Sequence, residues 1–182
     1  MNANPFKKIK RNEIYKGRVI DLCVDTVEYD NKEIKWEIIK SLNAVVVVPY
    51  LGNDKFVMVY QYRYTLGGYM WEFPAGRVEE GEDLIEGAQR ELEEECQYRA
   101  GHMEICLNYF PSPGVFTERM TLLFASDLYK ASNAQPDIDE IIHVKILSYN
   151  EIKEKIESGE IIDAKTILAF YHISLNKDKL IS

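Results

Sequence analysis

The sequence predicts a mixed α/β (α+β) fold in which a mixed β-sheet is sandwiched between α-helices. Strand-like segments dominate the first 73 residues, an amphipathic helix follows at about 83–97, and further strands and two helical patterns complete the chain. This order favours a mixed sheet covered by helices. The 182 residues suit one domain of ordinary size. Within it we expect an N-terminal β-hairpin region over residues 1–42 and the main domain over residues 43–182.

The first strands are predicted from their hydrophobic patterns. Apolar and polar residues alternate over 17–28 and 33–39, and Asp30 and Asn31 between them tolerate the conformations of a tight hairpin turn. The run AVVVVPY at 44–50 is continuously apolar and rich in β-branched residues, which is typical of a strand buried on both faces. We therefore expect a β-hairpin followed by a fully buried strand.

Shorter patterns predict the remaining elements. Two helical patterns close the chain, and Ser148 and Asp163 are suited to cap their N-termini. The turn sequences LGND and GG separate strand-like segments before the acidic helix. Further strands are expected at 55–64, in a short segment ending at Phe73, and near 103–110, 119–129 and 140–147.

Charge and cysteine content limit the classes of partner. The net charge is −8 and the pI about 5.0, so the surface repels a phosphate backbone and nucleic acid is not expected as a ligand. The three cysteines lack paired spacing, which indicates a reduced, cytoplasmic protein. The basic N-terminal segment has no apolar core, and no apolar run reaches membrane-spanning length, so neither a signal peptide nor a membrane partner is expected.

The helix predicted at 83–97 and its flanks concentrate negative charge. Residues 71–98 hold ten carboxylates, two arginines and no lysine. An apolar stripe for the core repeats at spacings of three and four residues, at Ile85, Ala88, Leu92 and Cys96.

Glu91, Glu94 and Glu95 converge on one edge of this helix, because residues three or four positions apart are neighbours. Two like charges ~4 Å apart repel by up to about 4 kcal/mol at an effective dielectric near 20, so in a cleft a cation is needed among them. A solvated acidic face is the alternative. The absence of lysine, the preceding Pro-Ala-Gly turn and Gly87, which costs ~1 kcal/mol inside a helix, favour an oxygen-ligand site for Mg²⁺ or Mn²⁺.

These residues resemble the Nudix box, G-x5-E-x7-R-E-U-x-E-E-x-G-U. Gln97 replaces its penultimate glycine, a position where glycine would close the helix in a left-handed conformation. The resemblance implies the Nudix fold, with metal ions on the helix of the box, and hydrolysis of a diphosphate that links a nucleoside to another group. Seven fixed positions match at the required spacing: Gly76, Glu82, Arg90, Glu91, Leu92, Glu94 and Glu95.

Segments outside the box resemble ADP-ribose pyrophosphatases within this family. They include QYR at 61–63, PSPGVFTE at 111–118 with a proline at the subfamily position Pro113, and GEIIDAKTI at 159–167. The resemblance spans about residues 17–170 and implies ADP-ribose or a related nucleoside diphosphate sugar as substrate. A hydrolase of GDP-mannose-type sugar nucleotides is one alternative, and a non-catalytic Nudix-fold sensor of nucleotide sugars is another.

The resemblance also implies roles for residues of the box. Glu91, Glu94, Glu95 and the carbonyl of Ala75 match metal ligands, for Mg²⁺ or alternatively Mn²⁺. Glu94 and Arg90 are also assigned to the catalytic machinery, Arg90 as the partner that orients these carboxylates. Divalent ions held in this way would bridge the diphosphate and position the attacking water.

Four residues are matched to substrate binding. Trp36 matches a tryptophan that stacks on the base, with a core tryptophan as the alternative, and Arg63 matches a residue that contacts the diphosphate. Glu72 resembles a contact to the ribose or to a metal-bound water, with a glutamate of an edge strand as the alternative. Gly114, in the segment PSPGVFTE, is placed with them.

A general base is also required, because cations depress the pKa of the box carboxylates. The sequence places Asp137, Asp139 and Glu140 on a loop before the strand expected near 140–147. In ADP-ribose pyrophosphatases a glutamate of this loop reaches the water, and Glu140 is the best match; a solvated acidic loop is the alternative. The subfamily also implies a homodimer whose N-terminal strands help build the partner's base pocket.

Overall fold

The computed structural model describes residues 4–131 and 141–181, and the chain forms two compact units. The first unit comprises Met1–Asn43 and Tyr109–Arg119, and the second comprises Ala44–Asn108 and Met120–Ser182. The place of Tyr109–Arg119 in the first unit is not predicted from the sequence, because that segment is remote from the N-terminal strands along the chain.

The first unit contains a three-stranded antiparallel sheet in the order β1-β2-β3. Asp30 and Asn31 both have positive φ, 51° and 56°, so the predicted hairpin turn is confirmed. Strand β1 is not predicted from the sequence, because almost all of its residues are exposed and its lysines and arginine hide any alternation. The three strands are β1 (Lys7–Lys16), β2 (Asp21–Tyr29) and β3 (Lys32–Lys40).

Backbone hydrogen bonds attach the segment Tyr109–Arg119 to the end of β3. The Ile39 N–H donates to the Val115 carbonyl at 2.8 Å, and the Thr117 N–H donates to the Ile39 carbonyl at 3.0 Å. Ile39 and Phe116 form an isolated parallel bridge. This pairing explains why a segment more than 70 residues downstream joins the N-terminal sheet.

The second unit is built on a seven-stranded mixed sheet. Its main path runs β10-β5-β4-β9-β8, with β6 paired to β5 and β7 paired to β4. Strands β4 and β9 are parallel, whereas β4 and β5 are antiparallel, which confirms the predicted mixed sheet. The strands are β4 (Ala44–Gly52), β5 (Lys55–Arg63), β6 (Gly68–Glu72), β7 (Ala75–Arg77), β8 (Tyr98–Tyr109), β9 (Met120–Lys130) and β10 (Ile142–Ser148).

The described residues of the second unit form four α-helices. The Asp83 carboxylate caps α1 by accepting from the backbone N–H groups of Ile85 and Glu86. Ser148 and Asp163 cap α2 and α3 as predicted, and the short α4 is not anticipated by the sequence. The helices are α1 (Leu84–Cys96), α2 (Tyr149–Glu157), α3 (Ala164–Leu175) and α4 (Lys177–Leu180).

The sheet of the second unit carries apolar side chains on both faces. Val45 and Val47 pack in one cluster with Ala88 and Leu92 of α1. Neighbouring residues of a strand point to opposite faces, so the fully buried Val46 faces the other side, where α3 contacts β4. The sheet therefore lies between α1 and the C-terminal helices. Among residues 4–131 and 141–181, no helix is long and apolar enough to span a membrane.

Candidate active site

The stretch before α1 is organised around the side chain of Glu82. The Glu79 N–H donates to Glu82 Oε2 at 2.8 Å, and the Glu82 N–H donates back to the Glu79 carbonyl at 3.1 Å. A methyl group added at Gly87 would lie 2.9 Å from the same Glu82 oxygen. The glycine inside the helix therefore makes room for a carboxylate of the site, which explains a residue that helix propensity disfavours.

Arg90 is the centre of the charged cluster on α1. Its Nε and Nη2 donate to the two oxygens of Glu82 at 2.9 and 3.0 Å, and Nη1 donates to Glu91 Oε1 at 2.8 Å and to Glu94 Oε2 at 3.0 Å. Nη2 also donates to the Arg77 carbonyl at 2.9 Å. We call Glu82, Arg90, Glu91 and Glu94 the acidic-helix cluster.

The hydrogen bonds of this cluster shift the pKa values of its members. The bonds to Glu82, and then to Glu91 and Glu94, raise the pKa of Arg90 although partial burial opposes the shift. The hydrogen bond from Arg90 lowers the pKa of Glu82 below its ordinary value. Arg90 therefore stays charged and favours the ionised form of Glu82, as an orienting partner should.

Glu91 and Glu95 lie against strand β7, and both are buried. A methyl group added at Gly76 would be 2.1 Å from the carboxyl carbon of Glu91, so only glycine leaves space for this carboxylate. Glu95 Oε2 accepts from the Ala75 N–H at 3.1 Å, which places the Ala75 backbone beside that side chain. Strand β7 and one edge of α1 thus lie together, and we call the carboxylates of Glu91, Glu94 and Glu95 on this edge the acidic surface.

The donor set of this surface suits a hard divalent cation. Glu91, Glu94 and Glu95 offer carboxylate oxygens, and each carboxylate can accept about four bonds, so contacts with Arg90 and metal ligation are compatible. In the described part of the chain, however, no three acidic, histidine or cysteine side chains already form a metal-binding arrangement. With Arg90 bound to Glu91 and Glu94, side-chain rotations are needed for all three carboxylates to face one ion.

Gln97 ends α1 in the left-handed conformation that glycine usually provides. Its φ and ψ are 59° and 36°, and its N–H donates to the Glu93 carbonyl at 2.9 Å. The departure from the box motif thus changes the residue but keeps the backbone geometry, at the modest energetic cost of a side chain in this region.

A second charged cluster is formed by β5, β6 and the start of α3. Arg63 binds Glu72 side-on, with Nε to Oε1 at 2.7 Å and Nη2 to Oε2 at 2.6 Å. Lys165 donates to the same Glu72 carboxylate and, at 2.9 Å, to Asp163. We call Arg63, Glu72, Asp163 and Lys165 the paired cluster, because two cations face two carboxylates.

Glu72 occupies the most buried position of the paired cluster and is only 1% exposed. Burial alone would raise the pKa of this carboxyl, but the hydrogen bond from Arg63 and the charges of Lys165 and Arg63 hold it below its ordinary value. The charge of Glu95 also contributes to raising the pKa of Arg63, so the acidic surface lies within electrostatic reach of this guanidinium.

Sequence reasoning identified Arg63 and Glu72 of this cluster but missed Lys165 as a candidate site residue. In the β5–β6 register Glu72 pairs with Val59 and Arg63 pairs with Gly68, so the two residues lie on one face but four positions apart, and their long side chains close the gap. The Phe73 N–H donates to the Thr166 hydroxyl at 2.9 Å, and this hydroxyl donates to Asp163, so α3 is tied to the end of β6. The segment GEIIDAKTI at 159–167 contains Lys165, but residue spacing within this segment does not indicate that Lys165 contacts Glu72, 93 positions away.

Trp36 and Gly114 lie in the first unit and line the same cavity of about 480 Å³. Trp36 is 44% exposed and contacts Phe6 edge-on with a ring distance of 5.9 Å, so it is not a core tryptophan of this unit. Asn12, Lys35 and Glu37 supply polar groups to the cavity. A partly exposed indole ring beside polar side chains is suited to stacking on a planar ligand.

The predicted general base lies outside the described residues. Glu140 and the neighbouring acids Asp137 and Asp139 all fall within 132–140. Glu118 is described; its Oε1 accepts from the Ser41 hydroxyl at 3.1 Å within the first unit.

Comparison with known proteins is consistent with this geometry. A family model described as the NUDIX domain matches residues 40–170. The chain is 39% identical over 173 residues to a methanol dehydrogenase activator of Bacillus methanolicus, covering 94% of each protein. It is 35% identical over 179 residues to an ADP-ribose pyrophosphatase of Bacillus subtilis (strain 168), covering 97% of each. A crystal structure of an ADP compounds hydrolase shares the fold, with a TM-score of 0.85 over 98% of both chains and 20% identity.

Proposed function

Since this chain belongs to the NUDIX family, we propose that it hydrolyses the diphosphate bond of ADP-ribose or a related nucleoside diphosphate sugar. A water adds to one phosphorus atom, the bridging oxygen leaves with the other, and the products are a nucleoside monophosphate and a sugar phosphate. The observation that carries the proposal is the acidic surface on α1, whose carboxylates Arg90 orients and Gly76 accommodates. These carboxylates favour an enzyme over a sensor that only binds the ligand.

We propose that Glu91, Glu94, Glu95 and the Ala75 carbonyl hold divalent cations, Mg²⁺ in the first place and Mn²⁺ as an alternative. When bound, such ions neutralise the diphosphate and lower the pKa of a water. Glu91 and Glu95 are buried against β7 and define the floor of the site, whereas Glu94 is more exposed. Arg90 orients Glu91 and Glu94 through its hydrogen bonds to both.

Arg63 is proposed to contact the diphosphate. Its side chain is the most exposed in the paired cluster, 35% against 2% for Glu72, and the side-on bond to Glu72 uses Nε and Nη2. The guanidinium has five N–H donors, and the bond to Glu72 uses two of them. The two hydrogens of Nη1 and the second hydrogen of Nη2 remain to donate to phosphate oxygens. Glu72, buried beneath Arg63, is better suited to orient it than to bind ribose directly.

Trp36 and Gly114 are proposed to form the base site, where stacking on the base contributes ~1–3 kcal/mol to binding.

We further propose a homodimer, since apolar side chains of the first unit such as Ile9, Ile14 and Tyr15 are half exposed on β1. Ile9→Glu should then halve the mass measured by light scattering, whereas an unchanged mass would remove this face from the interface. A cytoplasmic location, supported by three free cysteines, completes the proposal.

Glu140 is proposed as the general base. If it deprotonates the attacking water, Glu140→Gln should lower kcat by about 10²–10⁴-fold. The Mg²⁺ concentration for half-maximal rate should stay unchanged, because the residue is not among the proposed ligands. A sharply raised Mg²⁺ requirement would make it a ligand instead, and a rate like that of the wild type would transfer the role to Asp139 or Glu118.

The proposed function is tested by a panel of sugar nucleotides, including ADP-ribose and GDP-mannose, with Mg²⁺, with Mn²⁺ and with EDTA. Released monophosphates are treated with a phosphatase and the phosphate is measured. We expect hydrolysis of ADP-ribose or a close relative that EDTA abolishes and added Mg²⁺ restores. Binding without hydrolysis would favour a sensor, and full activity in EDTA would overturn the metal site.

A second candidate function rests on the relative from Bacillus methanolicus, which is named for activation of methanol dehydrogenase. Its identity of 39% over 94% of each chain makes activation of an alcohol dehydrogenase worth a direct assay. Methanol dehydrogenase turnover would be measured with this protein and with its Glu95→Gln variant. Activation by the wild type alone would link that role to the acidic surface, whereas activation by neither would exclude it.

A further inference from the structure

Lys165 occupies a position in the paired cluster that the proposed chemistry does not yet use. Its ammonium group lies between the buried Glu72 carboxylate and Asp163, which caps α3 through the Thr166 N–H. The Lys165 side chain is 16% exposed, so it is largely shielded from solvent but less deeply placed than Glu72. Glu72 therefore has two cationic partners, and Arg63 is the more exposed of the two.

The charge of Lys165 affects how strongly Glu72 and Asp163 attract Arg63. With Lys165 present, two cations face two carboxylates. Without Lys165, the Arg63 guanidinium would be alone against Glu72 and Asp163, and the cluster would carry a net charge of −1. A buried, uncompensated carboxylate is costly and draws the remaining cation towards itself. The positive potential that Arg63 presents to an anionic ligand would then fall.

We propose that Lys165 is a positioning residue for diphosphate binding: by neutralising Glu72 from the inner side, it holds Arg63 side-on with donors available to the phosphate oxygens. This inference rests on the proposed function, in which Arg63 contacts the diphosphate. It assigns Lys165 no contact with the substrate. Its effect is on how strongly the enzyme attracts the diphosphate rather than on the chemical step.

The kinetic signature of this role differs from that of a residue that merely supports the fold. Arg63 touches the diphosphate before and during the reaction, so weakening it should raise KM and leave kcat close to the wild-type value. A hydrogen bond to a charged group corresponds to a change in affinity of about 10-fold or more. A purely structural role would lower Tm and the active fraction, and hence kcat, while KM stayed constant.

The experiment compares Lys165→Met, which keeps the length of the side chain, with Lys165→Arg, which keeps the charge. Lys153→Met on α2 is the matched control. Lys153 is exposed, and its ammonium group forms a long surface ion pair of 3.7 Å with Glu157 one helical turn away. KM and kcat for ADP-ribose are measured with Mg²⁺, the Kd for ADP-ribose is measured by calorimetry in EDTA, and Tm is recorded for each variant. The calorimetric Kd reports on the paired cluster without turnover or metal.

We expect Lys165→Met to raise both KM and the metal-free Kd about 10-fold, with kcat within about threefold of wild type. Lys165→Arg should recover most of the loss, and Lys153→Met should match the wild type. In a Arg63→Met background, Lys165→Met should add little, because the group it positions is already absent.

Two outcomes overturn the inference. The first is an unchanged Kd in Lys165→Met while the wild type binds and hydrolyses ADP-ribose; this result removes the role of Lys165 and leaves the proposed function standing. The second is an effect that simply adds to that of Arg63→Met, which would show that Lys165 does not act through Arg63. If the wild type neither binds nor hydrolyses any sugar nucleotide in the panel, the proposed function and this inference fall together.

Discussion

The acidic-helix cluster and the paired cluster are both charged and partly buried, but they differ in their charge balance. In the acidic-helix cluster one arginine, Arg90, faces the carboxylates of Glu82, Glu91 and Glu94, so its four members carry a net charge of −2. In the paired cluster Arg63 and Lys165 face Glu72 and Asp163, and the charges cancel. The first cluster requires further positive charge, whereas the second is already neutral.

From this difference we propose that the two clusters bind different parts of one ligand. A surface with excess carboxylates attracts divalent cations, and such ions in turn attract a diphosphate. A neutral cluster whose most exposed member is a guanidinium binds phosphate oxygens directly, through fork-shaped donors. Glu72 lies three positions before Ala75, whose N–H donates to Glu95 at 3.1 Å, so we propose that the same diphosphate meets both clusters.

The largest effect is expected from neutralising the acidic surface. Glu94→Gln and Glu95→Gln should each lower kcat by about 10³-fold, because they remove charge that the transition state requires through the bound ions. Glu93→Gln is the control on the same helix, since Glu93 binds Arg99 at 2.8 Å and lies outside the cluster. Steady-state rates at saturating Mg²⁺ check the prediction. Equal losses in all three variants would show that overall helix charge, and not this surface, matters.

A smaller effect is expected from changing the space around Glu91. Gly76→Ala places a methyl group 2.1 Å from the Glu91 carboxyl carbon, so that flexible side chain must move while the fold can persist. We expect kcat to fall by about 10²-fold, as for displacements of about 1 Å at a reacting centre, with little change in Tm. Gly68→Ala, where an added methyl meets nothing within 4 Å, is the control. Wild-type activity of Gly76→Ala would show that the position of Glu91 is not critical.

The smallest effect concerns stability against pH. Arg90 lowers the pKa of Glu82 from its ordinary value of 4.5, so the pair stabilises the folded state above that pH and loses this contribution as the pH falls through the folded-state pKa. The difference in Tm between wild type and Arg90→Met should be a few degrees near neutral pH and shrink below about pH 4.5. Calorimetric scans between about pH 7 and pH 3 check this. A constant difference would mean that packing, not the ion pair, accounts for the effect of Arg90.

The two clusters also differ in how far sequence reasoning could reach them. Arg90, Glu91 and Glu94 are neighbours on one helix, so residue spacing alone brings them together. Lys165 meets Glu72 from 93 positions away, through the docking of α3 on β6, and no local pattern encodes that contact. Strand β1 is likewise not predicted from the sequence, because its exposed and charged residues show no alternation of apolar and polar side chains. At Gln97 the local sequence departs from the motif, but the structure keeps the left-handed helix end that glycine usually provides.

The central claim is that the acidic surface binds metal and the paired cluster binds diphosphate. It is tested most directly by measuring both ligands separately in two variants, Glu95→Gln and Arg63→Met. Mn²⁺ binding is followed by electron paramagnetic resonance of the free ion, and ADP-ribose binding is followed by calorimetry in EDTA. We expect Glu95→Gln to weaken Mn²⁺ binding and leave the metal-free Kd for ADP-ribose unchanged, and Arg63→Met to do the reverse. Loss of Mn²⁺ binding in Arg63→Met, or its retention in Glu95→Gln, would contradict the division between the two clusters.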